Sequence, residues 1–154
     1  MTCTLRYLRL LALIVWIGGI IFLSFVIAPL AFHSMPTTHL AGIIVGGSLR
    51  VLHTIGLICA AVLIATTLLL SHGKHLRWIL AIAAVMFALT AWSQYRILPR
   101  MDAARDANGG DIPVGCTTQP CRTFQRLHHR SVHAEVLVLL GGLTLTGFLS
   151  SRED

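Results

Sequence analysis

The segment "LLALIVWIGGIIFLSFVIAPLAF", residues 10–32, decides the fold class of this chain. It contains no charged side chain, and a helix needs about 20 mostly apolar residues to cross the hydrocarbon core of a bilayer. Its apolar run exceeds the ~7–15 residues of a signal-peptide core, and no small-residue cleavage site closes it. We therefore expect a retained membrane-spanning helix over residues 5–32.

Three further apolar stretches have the length of a membrane span, at residues 40–71, 76–98 and 124–150. The chain is 55% hydrophobic and 12% charged, whereas soluble domains carry about 25% charged residues. The sequence predicts one all-α domain over residues 1–154, an integral membrane four-helix bundle. Residues 99–123 are predicted to form one longer extramembrane loop between helices three and four, because their Gly, Pro and Asp content disfavours regular structure.

The second apolar stretch is longer than one span requires. It predicts either a tilted helix or a separate interfacial piece over residues 40–49. Gly42 and Gly46 form a GxxxG pair, which lets the backbones of two membrane helices approach closely. This spacing makes a homo-oligomer or a larger membrane complex a candidate assembly.

Charge and motifs exclude several function classes. The net charge of +6 comes from basic residues at helix ends and in one loop, a distribution typical of contact with lipid head groups rather than nucleic acid. The chain has no P-loop, GxGxxG, HExxH or Ser-His-Asp order, so the chemistry of soluble hydrolases, kinases and dehydrogenases has no support. Whether the protein is an enzyme stays open, and a non-enzymatic role is favoured.

Ionisable side chains gather where antiparallel spans bring the ends of helices one and three beside the starts of two and four. Such residues are costly in a membrane and usually pair or face a cavity. One interpretation is a packing network that joins Arg50 to Glu135 and His53 to His128, in a structural subunit or scaffold. Others are a haem or metal site and a path for protons or small solutes. The residues at this face are His33, His39, Arg50, His53, Arg96, His128, His129, His133 and Glu135.

Spacing divides these residues on helix four. His129 and His133 are four apart and share a face, a separation that suits two imidazoles on one metal. His128 and Glu135 are seven apart and share another face, about 100° around the helix. We take His129 and His133 as candidate metal ligands. Imidazole also binds iron and copper, so a haem or metal site would use some of His53, His128, His129 and His133, while Arg50, Arg96 and Glu135 are assigned to the polar network.

Two cysteines bear on the orientation of the chain in the membrane. Cys116 and Cys121 flank "TTQP" in the long loop, and in an oxidising compartment such a pair is expected to form a disulfide. The alternative is two free thiols in a cytoplasmic loop. Basic residues divide almost evenly between the two sides, so the cysteine pair favours termini in the cytoplasm and the long loop outside, in a bacterial inner membrane.

Three motifs resemble the transmembrane protein 205-like family of small four-helix membrane proteins. They are "VWIGGIIFLSFVIAPLAF", "AGIIVGGSLRVLHTIGL" and "FQRLHHRSVHAEVLVLLGGL". That family is distantly similar to copper-resistance protein D domains and to membrane protoporphyrinogen oxidases, which bind haem b. The resemblance implies that His53 and His128 belong to the shared pattern and are the candidate ligands of haem b or copper. The haem-binding relatives have a histidine early in helix one, which "LRYLRLLALIVW" lacks, so a haem here would need the histidines of helices two and four.

Overall fold

The fold is an all-helical bundle. The computed structural model describes residues 2–70, 76–113 and 115–150, and within them helices are the only regular secondary structure. The prediction of four helices long and apolar enough to cross a membrane is confirmed. We number them as spans one to four: Cys3–Ser34, Thr38–Leu70, Leu76–Asp106 and Gln119–Leu149.

The spans pack around a main apolar core, and a second, smaller cluster joins Ile97, Leu98 and Met101 of span three to Leu127 of span four. Span one lies against span two, span two against three and span three against four, while the first half of span one also contacts span four. Trp16 lies so close to Gly56 that a Cβ there would be 2.5 Å from the indole nitrogen, and a Cβ at Gly142 would be 2.7 Å from the Ile17 side chain. Small residues therefore set the helix spacing at these positions. The most buried core side chains include Leu13, Trp16, Leu63, Ile79, Met86, Val138 and Leu145.

Spans one and three are each interrupted by a π turn just before a proline. Proline has no N–H and its ring clashes with the carbonyl four residues earlier. The π turns carry each helix past this point with wider hydrogen bonds, from the Ala28 N–H to the Leu23 carbonyl and from the Leu98 N–H to the Ser93 carbonyl. The elements of the two spans are α1 (Thr2–Phe22), π turn Leu23–Ile27 and α2 (Ala28–Ser34), then α4 (Leu76–Trp92), π turn Ser93–Ile97 and α5 (Leu98–Asp106).

The remaining spans are single helices. Helix α3 (Thr38–Leu70) runs without a break, so residues 40–49 do not form a separate interfacial piece. Helix α6 (Gln119–Ser150) begins five residues before the predicted start at residue 124.

The long loop is shorter than predicted. Residues 98–106 belong to helix α5, so the prediction of a loop over 99–123 is wrong at both ends. Pro99 follows directly on the π turn Ser93–Ile97, whose wider turn accommodates the proline within the continuing helix. The connection that remains is residues 107–118. The Cys116 and Cys121 sulfurs lie 2.00 Å apart in a disulfide that ties this connection to the first turn of α6.

Candidate functional site

A buried histidine joins three of the spans. The His53 side chain on α3 is only 1% exposed. Its Nε2 lies 2.5 Å from Oε1 of Glu135 on α6, and its Nδ1 lies 3.1 Å from Oε1 of Gln94 in the second π turn. A second hydrogen bond, 3.3 Å between the hydroxyls of Ser93 and Ser131, runs beside it from the same π turn to α6. This polar network lies in the half of the bundle nearest the 107–118 loop, which we name the loop face.

The hydrogen-bond partners restrict the protons of this network. The Gln94 carbonyl oxygen accepts from Nδ1–H of His53. On the other side of the ring, Nε2 is hydrogen bonded to the Glu135 carboxyl group. Ionisable side chains inside membrane-spanning helices usually pair in this way.

A cavity of about 580 Å³ lies beside this network in the loop-face half. This volume is within the 300–1,000 Å³ range of small-molecule sites. Phe25 and Phe32 from span one and Val132 and Val136 from α6 line it, and all four are exposed on the outer surface of the bundle. The cavity therefore opens sideways, onto the apolar outer surface of the bundle. Glu135 lines its inner part.

Glycines of α3 form one wall of the cavity. Gly42 and Gly46, the GxxxG pair, both line it together with Gly47. A Cβ added to Gly46 would meet no atom of the described residues within 4 Å. The missing side chains leave open volume here. Among the described residues, only the Arg105 side chain comes within 4 Å of a Cβ at Gly42, so the pair makes no close backbone contact with another helix there.

Charged side chains form a rim where the cavity meets the loop face. Arg50 donates to the carboxylate of Asp102, and Nη1 of Arg105 lies 3.6 Å from the other oxygen of the same carboxylate. The Arg105 guanidinium stands 5.3 Å from the centre of the Phe124 ring, which stacks in parallel on the His128 ring. We name Arg50, Asp102 and Arg105 the arginine rim. It carries two positive charges and one negative charge.

The predicted pairing of the polar network is wrong. Arg50 pairs with Asp102 rather than Glu135, and His53 pairs with Glu135 and Gln94 rather than His128. Arg96 is exposed and has no hydrogen bond or ion pair within the described ranges, so it stands outside the network. The physical reason is that α5 continues past Pro99, which brings Asp102 to Arg50 and leaves Glu135 to the deeper His53.

The histidines proposed as ligands have different surroundings. His129 and His133 are exposed, and Nδ1 of His133 donates to the His129 carbonyl oxygen at 2.6 Å. Among residues 2–70, 76–113 and 115–150, no group of three or more His, Cys, Asp or Glu side chains is placed to hold a metal. Both ring nitrogens of His53 are already hydrogen bonded, so a ligand role would require it to give up Gln94 or Glu135. His128 lines the cavity.

Two functional side chains escaped the sequence reasoning. Gln94 lies between Trp92 and Tyr95 in the sequence, and no pattern in the sequence gives it a role. Asp102 was assigned to a loop, although its i,i+3 spacing to Arg105 is typical of a helical ion pair. That spacing was the available signal.

The family described as a domain of unknown function (DUF4149) matches residues 11–109. The match covers well over half of the chain, including His53, Gln94 and the whole arginine rim. This chain belongs to the DUF4149 family. In this DUF4149 protein, Glu135 and His128 lie on α6, beyond the matched region. No curated protein and no solved structure matches the chain.

Proposed function

We propose that this DUF4149 protein is an integral membrane binding protein that takes up a small amphipathic molecule from the bilayer. The observation that carries the proposal is the cavity of about 580 Å³, whose apolar walls reach the outer surface of the bundle. A molecule dissolved in the bilayer enters through Phe25, Phe32, Val132 and Val136 without crossing a polar surface. The arginine rim then faces the polar end of the molecule.

The test is to fill the cavity without disturbing the packing. The purified full chain in non-ionic detergent is mixed with 1-hexadecanol or hexadecanoate, and bound molecules are counted by native mass spectrometry. We expect Gly46→Leu to abolish binding, because its side chain projects into the open volume. Gly18→Leu is the matched control, since Gly18 is exposed and a Cβ there meets no described atom within 4 Å. Equal binding by both variants, or none by the parent chain, contradicts the proposal.

A second candidate is binding of haem b or copper through His128, with a redox or metal-handling role. Two observations support it: His128 lines the cavity, and its ring makes no hydrogen bond within the described part of the chain. The transmembrane protein 205-like resemblance, with its more distant haem-binding relatives, points the same way. An absorption spectrum and metal analysis after haem or copper addition test it. We expect His128→Ala to lose the bound haem or copper and His133→Ala to keep it. A protein that stays colourless and metal-free contradicts this candidate function.

A non-catalytic scaffold role rests on a different observation, the His53–Gln94–Glu135 network that joins spans two, three and four. In that case the chain binds none of the molecules above, and loss of the network lowers stability alone. A proton or solute path would use the same His53–Glu135 pair beside the cavity. The ligand experiment separates the binding role from the scaffold role.

We infer that the protein sits in the bacterial inner membrane with the 107–118 loop outside and both termini in the cytoplasm. The disulfide between Cys116 and Cys121 supports this orientation, because disulfides persist in oxidising compartments and are rare in the cytosol. The arginine rim and the cavity then lie in the outer half of the membrane.

A further inference from the structure

We propose that the molecule bound in the cavity carries an anionic head group, a carboxylate or a phosphate, and that Arg50 and Arg105 bind this group. The inference rests on the proposed function and adds the chemical class of the ligand. The apolar body of the ligand lies between span one and α6, and its head lies at the arginine rim.

The rim has more hydrogen-bond donors than Asp102 can satisfy. Each guanidinium has five N–H donors in a fixed fork, and Arg50 and Arg105 share a single carboxylate. Arg105 approaches Asp102 at 3.6 Å with one terminal nitrogen, which leaves most of its fork without a partner in this carboxylate. Carboxylates and phosphates match such a fork with two parallel hydrogen bonds. The rim also has a net charge of one positive, which favours an anion.

Arg105 is held in position before any ligand arrives. Its guanidinium stands over the Phe124 ring, at 5.3 Å from the ring centre, and Phe124 is in turn stacked on His128. A Cβ at Gly42 would lie 3.8 Å from Nη2 of Arg105, so the glycine wall leaves the guanidinium room beside α3. A side chain ordered in advance loses less entropy on binding.

Among the described residues, Glu135 is the one acidic residue besides Asp102 that lines the cavity. Its Oε1 is hydrogen bonded to Nε2 of His53, so this carboxyl group already has a partner. The inner part of the cavity is otherwise lined mainly by apolar side chains, such as Ile20, Leu23 and Leu139. The site is therefore polarised, with the arginine rim at one end and a mainly apolar interior, which matches a molecule with an anionic head and an apolar tail.

The experiment compares head groups on the same sixteen-carbon chain. Hexadecanoate, hexadecyl phosphate, 1-hexadecanol and hexadecyltrimethylammonium are titrated onto the full chain in non-ionic detergent and followed by native mass spectrometry. We expect at least one anion to bind about tenfold or more tightly than the alcohol, as one charge-assisted hydrogen bond predicts. Preference for the carboxylate points to a fatty-acid-like ligand, and preference for the phosphate points to a lipid phosphate.

Substitutions in the rim give the decisive comparison. Arg105→Gln is expected to weaken anion binding about tenfold and to leave alcohol binding unchanged. Arg96→Gln removes the same charge from an exposed position outside the cavity and is expected to change neither. Asp102→Asn frees both guanidiniums and is expected to strengthen anion binding. This variant therefore tests the inference by an increase in affinity rather than by a loss.

The outcomes separate this inference from the proposed function. If the alcohol binds as tightly as the anions and Arg105→Gln changes nothing, the anionic head group is overturned, while sensitivity to Gly46→Leu would still support the cavity as a binding site. If no probe binds the parent chain, both fail. If Arg105→Gln does not fold, Arg50→Gln and Asp102→Asn carry the comparison.

Discussion

His53 and Glu135 meet inside the bundle, with Nε2 of the imidazole 2.5 Å from Oε1 of the carboxylate. The two residues are 82 positions apart in the chain and belong to spans two and four. Because Gln94 of span three holds the other ring nitrogen, one side chain fixes the relative position of three helices. Removal of any member leaves a polar group without its partner in a setting where water replaces it poorly.

His53→Ala is predicted to lower the free energy of unfolding by about 3–5 kcal/mol, because Glu135 and Gln94 lose their partner and a buried space opens. Glu135→Gln keeps the shape and one hydrogen bond and is expected to cost less. Thermal denaturation in detergent measures both changes. His33→Ala is the control, since His33 is exposed; a His53→Ala variant as stable as this control would show that the network does not hold the spans together.

Gly56→Ala is predicted to cost about 1–3 kcal/mol, as overpacking of a tight core does. The added Cβ would lie 2.5 Å from the indole nitrogen of Trp16, one of the most buried side chains. Gly18→Ala has open space around it and is expected to leave stability unchanged or to raise it slightly. Denaturation curves of the two variants, recorded side by side, decide the matter, and equal stability would count against the close packing of spans one and two.

Asp102→Asn is predicted to change stability by less than about 1 kcal/mol. The Asp102 side chain is 36% exposed and the Arg50 side chain is 47% exposed. Ion pairs exposed to this extent contribute little to the free energy of unfolding. Chemical denaturation at low and high salt measures the effect. A larger loss would mean that the rim holds α5 against α3, and the rim would then have a structural role besides the one proposed.

Cysteine labelling is predicted to reveal the orientation. With the loop outside, a membrane-impermeant maleimide added to intact cells labels Cys116 and Cys121 only after reduction, because they are joined in a disulfide. Cys3, which is exposed and near the other face, is labelled only after the membrane is opened. Single-cysteine variants that keep Cys3 alone provide the control. Labelling of Cys3 in intact, unreduced cells would reverse the orientation.

The spans were predictable because apolar length alone marks them. An apolar run such as residues 10–32 can cross a bilayer only as a helix, because every backbone N–H and C=O group must be hydrogen bonded within the segment. The gathering of His53 and Glu135 in one half of the bundle also followed from the sequence, because antiparallel spans alternate in direction. The depth of a residue in the bundle is counted along the helix axis, so it can be estimated without knowing in which direction the side chain points.

The partners were not predictable, because they depend on where helices end and how they rotate. Pro99 was read as a helix end, although the π turn before it allows the helix to continue. That reading placed Asp102 in a loop and left Arg50 to be matched with Glu135. Gln94 lies inside the π turn itself, and the direction of its side chain depends on a feature that residue spacing does not reveal.

The two π turns also break the counting by which helix faces are assigned. Each inserts one residue into its span, so the positions beyond it are turned by about 100° from where continuous α-helical counting would put them. A helical wheel drawn through the whole of span three therefore assigns Arg105 to the wrong side, and one drawn through span one misplaces Phe32. Designed cysteine pairs, lipid-facing scans and fusion junctions in this protein need a wheel that restarts at Ala28 and again at Leu98.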